Sequence, residues 1–302
     1  MKVFAIIVTY NGMKWIDKCL KSIVNQCEVV VVDNNSSDVT LKYIETNFPL
    51  VKILSQTKNH GFGIANNIGI NYALQNGADA VFLLNQDAFA QTDCVKKLIG
   101  AYHQNPSYGI ISPIHLNGDG SALDYTFQKI TYMSDLISDL ILGKANDKIY
   151  MLNFVNAAAW FIPKKALFEV GGFDPLFFLY GEDDNYCQRM LYHGFKIGII
   201  PNATIYHDSN NSNYLSGTSG SEKYFRQFLN SVYVKYADIN TDNYKKLLKL
   251  KVYILRNVLM NLITFKIDEA ILLFRKFKRL NSALIKKSVM INKKVGANYL
   301  EI

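Results

Sequence analysis

The sequence predicts an α/β fold, with a mostly parallel central sheet flanked by helices and a helical C-terminal extension. Three observations predict it. Uninterrupted runs rich in Val, Ile and Phe, "VFAIIVTY" (3–10), "EVVVVD" (28–33) and "ADAVFLL" (78–84), have the pattern of strands covered on both faces. Between them lie segments whose apolar residues recur at helical spacing, the alternation that builds parallel sheets. The charge is also divided: residues 241–302 hold fourteen Lys and Arg against four acids. That is +10, where the whole 302-residue chain sums to +8 and the part before it to −2.

Taken in order, the first strand ends at Asn11-Gly12. Trp15, Ile16, Cys19, Leu20, Ile23 and Val24 then mark a helix within Met13 to Asn25. The second strand closes in the polar turn "DNNSSD", followed by a weaker helix from Val39 to Asn47 and a strand "VKILS" (51–55). "GFGIANNIGINYALQNG" reads as a loop entering a helix that stops at Gly77. After "ADAVFLL", Thr92 is the expected N-cap and Pro106 the terminator of "TDCVKKLIGAYHQNP", and "YGIISP" is again a strand. Beyond Pro113 the pattern loosens, with one helix-like stretch, "YMSDLISDLILG". "NFVNAAAWFIP" (153–163) returns as a strand, "KKALFEVGG" as a short helix, and "GEDDNYCQRMLYHG" as a helix ended by Gly194. "KIGIIPNATIYH" gives two short strands. "SNNSNYLSGTSGSE" (209–222) is a Ser/Asn/Gly-rich loop expected to act as a lid, and helix follows from Lys223. The boundaries this suggests are 1–222, with halves 1–113 and 114–222, and then 223–302.

Composition narrows the class. With 49% hydrophobic and 13% aromatic residues the chain supports a substantial core, which argues against disorder. Cys19, Cys27, Cys94 and Cys187 form no CxxC pair and fit reduced thiols in a cytoplasmic protein. The opening "MKVFAIIVTYNG" lacks a small-residue cleavage site and reads as a buried strand rather than a signal peptide. No window of about 18 apolar residues is present, so no spanning helix is expected.

In open α/β sheets ligands bind beyond the carboxyl ends of the strands. Here those ends are polar three times over: Thr9-Tyr10-Asn11, Asp33-Asn34-Asn35 and Asn85-Gln86-Asp87. A dinucleotide-binding unit is excluded, because "TYNGMKW" after the first strand has one Gly where GxGxxG is needed, and "GFGIAN" comes too late. Asp87, just past a buried strand, suits a hard divalent cation, Mg²⁺ or Mn²⁺. His207 ends "ATIYH" and gains a metal role only by sharing a cleft with Asp87. "FLYGEDDNYCQRM" (178–190) sets Glu182, Asp183 and Asp184 side by side after a Gly. Like charges repel, so the cluster is either a set of helix-start acids favoured by the dipole or a catalytic carboxylate at a helix N-terminus.

"IIVTYN", "VVVVDNNSSD", "KNHGFGIANNIGI", "VFLLNQDA" and "GGFDPLFFLYGEDDNYCQRMLYHGFKIGIIPNATIYH" come in the order and spacing of family-2 glycosyltransferases. The chain resembles that family over residues 1–210, with a flavour close to bacterial rhamnosyltransferases of polysaccharide assembly. The resemblance implies a GT-A fold with a Rossmann-like sheet, and a donor half (1–113) followed by an acceptor half (114–222). It also implies inverting transfer of a sugar from a nucleotide diphosphate sugar to a saccharide or lipid-linked acceptor. Rhamnose from dTDP-rhamnose is the expected donor. A UDP-sugar (galactose, glucose or galactofuranose) and a catalytically inactive nucleotide-sugar-binding relative are the alternatives. By the same resemblance Thr9 and Asp33 would contact base and ribose. Tyr10, Asn11, Asn34, Gly63, Asn66, Asn85 and Gln86 would lie along the donor, and Asp87 with His207 would hold the cation. Asn85 departs from the Asp-x-Asp motif and weakens the local negative charge. Asp183 would be the base, kept ionised at neutral pH by the helix N-terminus, with Glu182 supporting it. Trp160, Phe178 and Tyr180 would wall the acceptor pocket, with core packing the plain alternative for each. Asp184 is either an acceptor contact or a helix-start acid.

The basic tail interleaves its charges with apolar residues, as in "LLKLKVYILRNVLMNLI" and "ILLFRKFKRL". That pattern argues against nucleic acid. It suits a peripheral contact of 241–302 with the inner face of the plasma membrane, packing on the catalytic domain, or a homodimer contact.

Overall fold

The computed structural model describes residues 1–301 apart from 133, 146–147, 210–216 and 242. The expected lid over 209–222 falls largely outside the described residues. Strands β1 (Val3–Thr9), β2 (Glu28–Asp33), β3 (Lys52–Ser55) and β4 (Ala80–Leu84) alternate with helices α1 (Ile16–Ile23), α2 (Thr40–Asn47) and α3 (Phe62–Gln75). The apolar runs have the burial their composition demands: β4 and most of β1 and β2 are covered on both faces. Then come β5 (Ala88–Ala90), α4 (Cys94–Gln104), β6 (Tyr108–Asn117), α5 (Tyr125–Thr131), α6 (Asp135–Ile141), β7 (Tyr150–Leu152), β8 (Ala159–Pro163) and α7 (Lys164–Val170). The chain continues through α8 (Glu182–Tyr192) and β9 (Lys196–His207) into α9 (Glu222–Tyr236), α10 (Tyr244–Ile263), α11 (Ile267–Arg279) and α12 (Ser282–Asn292).

Among the described residues the strands form one sheet in the order β3-β2-β1-β4-β8-β6-β9-β5, with β7 paired to β9. It is parallel through β3-β2-β1-β4 and again between β6 and β9. β8 enters antiparallel between β4 and β6, so the second half of the sheet is mixed. Several boundaries differ from those expected. "KIGIIPNATIYH" is one strand: β9 bulges at residues 201–203, between the pairs Pro113↔Ile200 and Ile114↔Thr204, and then resumes its pairing with β6. Only the last part of "NFVNAAAWFIP" is strand. Thr92 does not cap α4: the N-cap is Asp93, in the left-handed region at φ 61°.

Two apolar layers cover the sheet. One packs α1 and α4 against it through Ile16, Leu20, Cys94 and Leu98. The other packs α3, α7 and α8 through Ile70, Leu167, Tyr186 and Met190. A third cluster joins α9–α12 to the loop before α8, through Phe177, Val232, Tyr233, Leu247 and Ile285. The extension is therefore packed on the sheet domain. Its last described residues return to it: Gly172 N donates to Asn298 O (2.8 Å), Gln75 Nε2 donates to Glu301 O (3.1 Å), and Leu300 joins the α3 side of the core. Asp174, buried, accepts from Ser288 Oγ (2.5 Å) and Asn292 Nδ2 (2.7 Å) of α12. Many of the basic residues are used in this packing. Arg275 and Arg279 lie over Phe225, Lys276 over Tyr224 and Lys251 over Phe277.

Candidate active site

The polar strand ends open into a cleft of about 360 Å³. A larger hollow, about 740 Å³, lies at the amino ends of β1–β3 against Phe4, Phe48, Leu50 and Tyr72. Ligand sites of open α/β sheets lie at the other edge, and the convergent polar groups are there too. The smaller cleft is lined by Tyr10, Asn34, Asn85, Gln86, Asp87 and His207 together with Phe178, Tyr180, Glu182 and Asp183. Segments about a hundred residues apart in sequence thus share one cleft.

Each side chain is held for a local reason. Thr9 is buried and donates through Oγ1 to Gln86 Oε1 (2.8 Å), which also accepts from Tyr10 N (3.1 Å). The end of β1 therefore fixes Gln86. Asn34 is occupied by the next loop: its Oδ1 accepts from His60 N (2.8 Å) and its Nδ2 donates to Asn59 Oδ1 (3.0 Å). Asn11, exposed, accepts from Ser37 N (2.8 Å) and pins the 36–38 turn. Asp33, paired in register with Thr9, spends Oδ2 on Ser36 N (3.2 Å) and leaves Oδ1 buried without a partner. Asn85 Oδ1 and Asn156 Oδ1 are buried and unpartnered as well. Unmet acceptors of this kind are costly unless something binds them.

Three residues expected along the cleft are in the interior instead. Trp160 is fully buried, stacked on Phe173 and Tyr186 with ring centroids 6.0 and 5.7 Å away. Gly63 serves close packing: a Cβ there would come within 2.9 Å of Phe173 Cβ. Asn66 is buried in α3 and donates back to Phe62 O (3.0 Å). Asp184 is half-buried in the first turn of α8 and does not line the cleft.

The acidic wall is built under strain. Tyr180 has φ 69° and Gly181, the N-cap of α8, φ 91°. A Cβ on Gly181 would meet Val234 of α9 at 2.8 Å, and Asn230 Nδ2 of α9 donates to Leu179 O (2.6 Å). The extension thus holds the loop that delivers the acids. Burial, followed by the charges of Asp183 and Asp184, pushes Glu182 up to about 8. Burial and then the charge of Asp184 push Asp183 up to about 7, against backbone N–H donors that pull it down. The helix N-terminus was expected to keep Asp183 ionised at neutral pH; desolvation and like charge act against the dipole and raise it well above the ordinary carboxylate range.

His207 lies between two carboxylates. Its Nε2 is 3.5 Å from Asp87 Oδ1 and its Nδ1 3.3 Å from Asp124 Oδ2. Burial alone would lower its pKa, but the two carboxylates lift it to about 9. Among the described residues no three His, Cys, Asp or Glu side chains gather into a metal cage. Asp87 and His207 supply one oxygen and one nitrogen, and Asn85, whose Oδ1 is buried and unpartnered, lines the same cleft. That set fits Mg²⁺ or Mn²⁺ bound jointly with a phosphate ligand, the ion taking the place of the imidazolium charge. Sequence reasoning missed Asn59, Asn156 and Asp124, each a lone polar residue in a loop with no spacing to flag it.

The model of the family described as Glycosyl transferase family 2 matches residues 4–166. The chain is 27% identical over 207 residues to the dTDP-rhamnosyl transferase RfbF of Shigella flexneri, covering 68% of each chain. It is 26% identical over 246 residues to the rhamnosyltransferase WbbL of Escherichia coli K12, covering 76% of this chain and 91% of that one. Its fold is similar to GalNAc-T7 solved with UDP, GalNAc and Mn2+ (TM-score 0.57, 17% identity, 78% of this chain), although the match spans only 47% of that longer protein. It is also similar to Staphylococcus aureus TarS 1–349 in complex with UDP (TM-score 0.53, 17% identity, 80% and 67% of the two chains).

The raised acids make a stability prediction. A carboxyl whose pKa is higher in the folded state than in the unfolded one favours folding at low pH, and that contribution is lost as pH rises through the folded value. Asp183→Asn should therefore lose less stability than the parent chain between pH 5 and about 8. Its Tm should match or exceed the parent's at the alkaline end. Melting curves across that range check it; parallel pH profiles for the two proteins would contradict the desolvated-acid description.

Proposed function

The chain belongs to glycosyl transferase family 2 and is a glycosyltransferase, and from this premise we propose that it catalyses single-displacement, inverting transfer from a nucleoside diphosphate sugar to an acceptor hydroxyl. One observation carries the reading: Asp87, His207, Asp183 and Glu182 line one cleft. A displacement with inversion needs charge neutralisation at the leaving diphosphate and a base on the opposite side of the reacting carbon.

In this reading Asp183 takes the proton from the acceptor hydroxyl as its oxygen attacks the anomeric carbon. Glu182, protonated and buried, orients the acceptor or the loop without adding a second negative charge. Phe178 and Tyr180, half-exposed on the same wall, offer aromatic faces to sugar C–H surfaces. On the donor side, Asp33 Oδ1 is the acceptor for an N–H of the base, with Thr9 and Gln86 fixing the floor beneath the ribose. Asp87 and His207 would hold Mg²⁺ or Mn²⁺, which when bound supplies positive charge to the leaving diphosphate.

The names of the relatives favour a dTDP-sugar, rhamnose above all, with UDP-sugars the alternative. A saccharide or lipid-linked acceptor fits the surface of the extension. Val252, Leu259 and Ile263 lie on one stripe of α10, and Phe265, 89% exposed in the turn to α11, continues into Ile267 and Ile271. Lys245, Lys246, Lys249 and Arg256 share α10 with them. No helix among the described residues is long and apolar enough to cross a membrane. An anionic bilayer surface matches this charge, whereas a symmetric pairing of two copies would bring like charges together.

Asp183→Asn should lower turnover by about 10²- to 10⁴-fold, the usual worth of a general base, while donor binding stays near that of the parent. Single-turnover transfer assays with calorimetric donor titration check this, and near-normal turnover would remove Asp183 from the role. Absence of transfer and of donor hydrolysis by the parent chain, with any donor, would support the inactive relative instead.

For the donor, dTDP should compete more tightly than UDP in the presence of Mn²⁺. Tighter inhibition by UDP would point to a UDP-sugar.

For the membrane, the full chain should co-sediment with vesicles containing anionic lipid at low salt and release at high salt, each nearby Lys or Arg contributing about 1 kcal/mol. Ile263→Glu combined with Phe265→Glu should abolish binding without unfolding the chain, and equal sedimentation of the two proteins would exclude the α10–α11 surface.

A further inference from the structure

We infer that Asp124 is a positioning residue for the cation end of the cleft: its carboxylate fixes the His207 ring so that Nε2 faces Asp87. The inference rests on the reading that Asp87 and His207 hold a divalent cation.

Asp124 lies behind His207, not in the cleft. It borders a neighbouring hollow with Trp15 and Tyr125, so it reaches a donor only through the imidazole. It is 2% exposed and rigidly held. Its N–H donates to His115 O (2.9 Å), and its Oδ1 accepts from Thr126 N (2.9 Å) and Phe127 N (3.0 Å) as the N-cap of α5. That use accounts for one oxygen only. Oδ2 points the other way: it accepts from Ser209 Oγ (2.8 Å) and lies 3.3 Å from His207 Nδ1, within charge-pairing distance but without hydrogen-bond geometry. Capping alone does not require this second oxygen, because Ser and Asn cap helices as well as Asp does. What the second anionic oxygen adds is a fixed negative charge beside Nδ1.

The backbone prepares the same arrangement. His207 is the last residue of β9, flanked in register by Asn117 of β6 and Ala88 of β5, and Asp208 N donates to Asp87 O (2.9 Å). The ring is thus placed between Asp124 and Asp87 with one nitrogen toward each. A histidine that ligates a cation through one nitrogen needs an acceptor at the other to set tautomer and orientation. Loss of such a partner typically weakens metal affinity about 10- to 100-fold.

The test uses the full chain saturated with dTDP or UDP and titrated with Mn²⁺, with free Mn²⁺ followed by electron paramagnetic resonance. Asp124→Asn and Asp124→Ser both keep a side-chain cap for α5 and remove the anionic Oδ2. Each should raise the Kd for Mn²⁺ by about 10- to 100-fold. Nucleotide binding in excess chelator and Tm should stay close to the parent's, which separates positioning from a folding defect. ¹⁵N resonances of His207 should show a single tautomer, protonated at Nδ1, in the parent loaded with diamagnetic Mg²⁺ and an altered pattern in the variants. Parent-like Mn²⁺ affinity in either folded variant would overturn the role of Asp124 alone. Nucleotide binding by the parent with no Mn²⁺ uptake would overturn the cation reading and this inference with it. If one substitution unfolds the chain, the other decides.

Discussion

The cleft depends on the cost of holding neighbouring carboxylates out of water. Glu182, Asp183 and Asp184 stand in one turn, and the first of them is almost wholly buried. Nothing local favours this arrangement beyond the free N–H groups of the α8 N-terminus. The surrounding structure has to impose it. Gly181 takes a backbone conformation that a side chain would strain, Phe177 anchors the loop in the third apolar cluster, and α9 presses Val234 and Asn230 against it. The result is a carboxyl raised well above the ordinary carboxylate range. In the same cleft His207 is also raised, but by a different cause: two carboxylates hold the charge on a buried imidazole. Upward shifts thus favour the neutral form of the acids and the charged form of the histidine, and perturbed groups of this kind cluster at functional sites.

Seen this way, the extension is part of the site. Its charge pattern alone does not distinguish a membrane helix from a packed one, and the structure shows features of both. Arg275, Lys276 and Arg279 lie over aromatic rings of α9, while Val252, Ile263 and Phe265 remain uncovered. The same helices brace the acid loop on one side and offer an apolar, basic surface on the other.

The fold was legible in the first half because burial on both faces writes itself into composition: "VFAIIVT", "EVVVVD" and "AVFLL" have few conformations open to them. It was less legible where tertiary pairing decides. Three-residue strands such as β5 exist because Ala88 meets His207, and β7 because Tyr150 meets Ile199, contacts too distant in sequence to predict. At the site, residue types and motif order located Asp87, Asp183 and His207, and the structure gathers them in one cleft. Composition could not say which aromatic faces which way, so Trp160 was offered to the cleft although it belongs to the core. Nor could it supply desolvation, which decides the protonation of Asp183. Asp124 carried no signal in the sequence, because its second oxygen has a purpose only after β9 has folded beside it.

The return of residues 298–301 to the sheet domain bears on how the enzyme comes into being during synthesis. Apart from His207, the polar strand ends of the cleft come from the first ninety residues, which leave the ribosome first. The acidic wall is completed much later. The Gly171–Asp174 segment is closed by Asn298, Ser288 and Asn292, and α9 braces the acid loop. The polar strand ends are thus synthesised well before the helices that seat the acids, and the cleft is complete only once α9 and α12 have packed on the sheet domain.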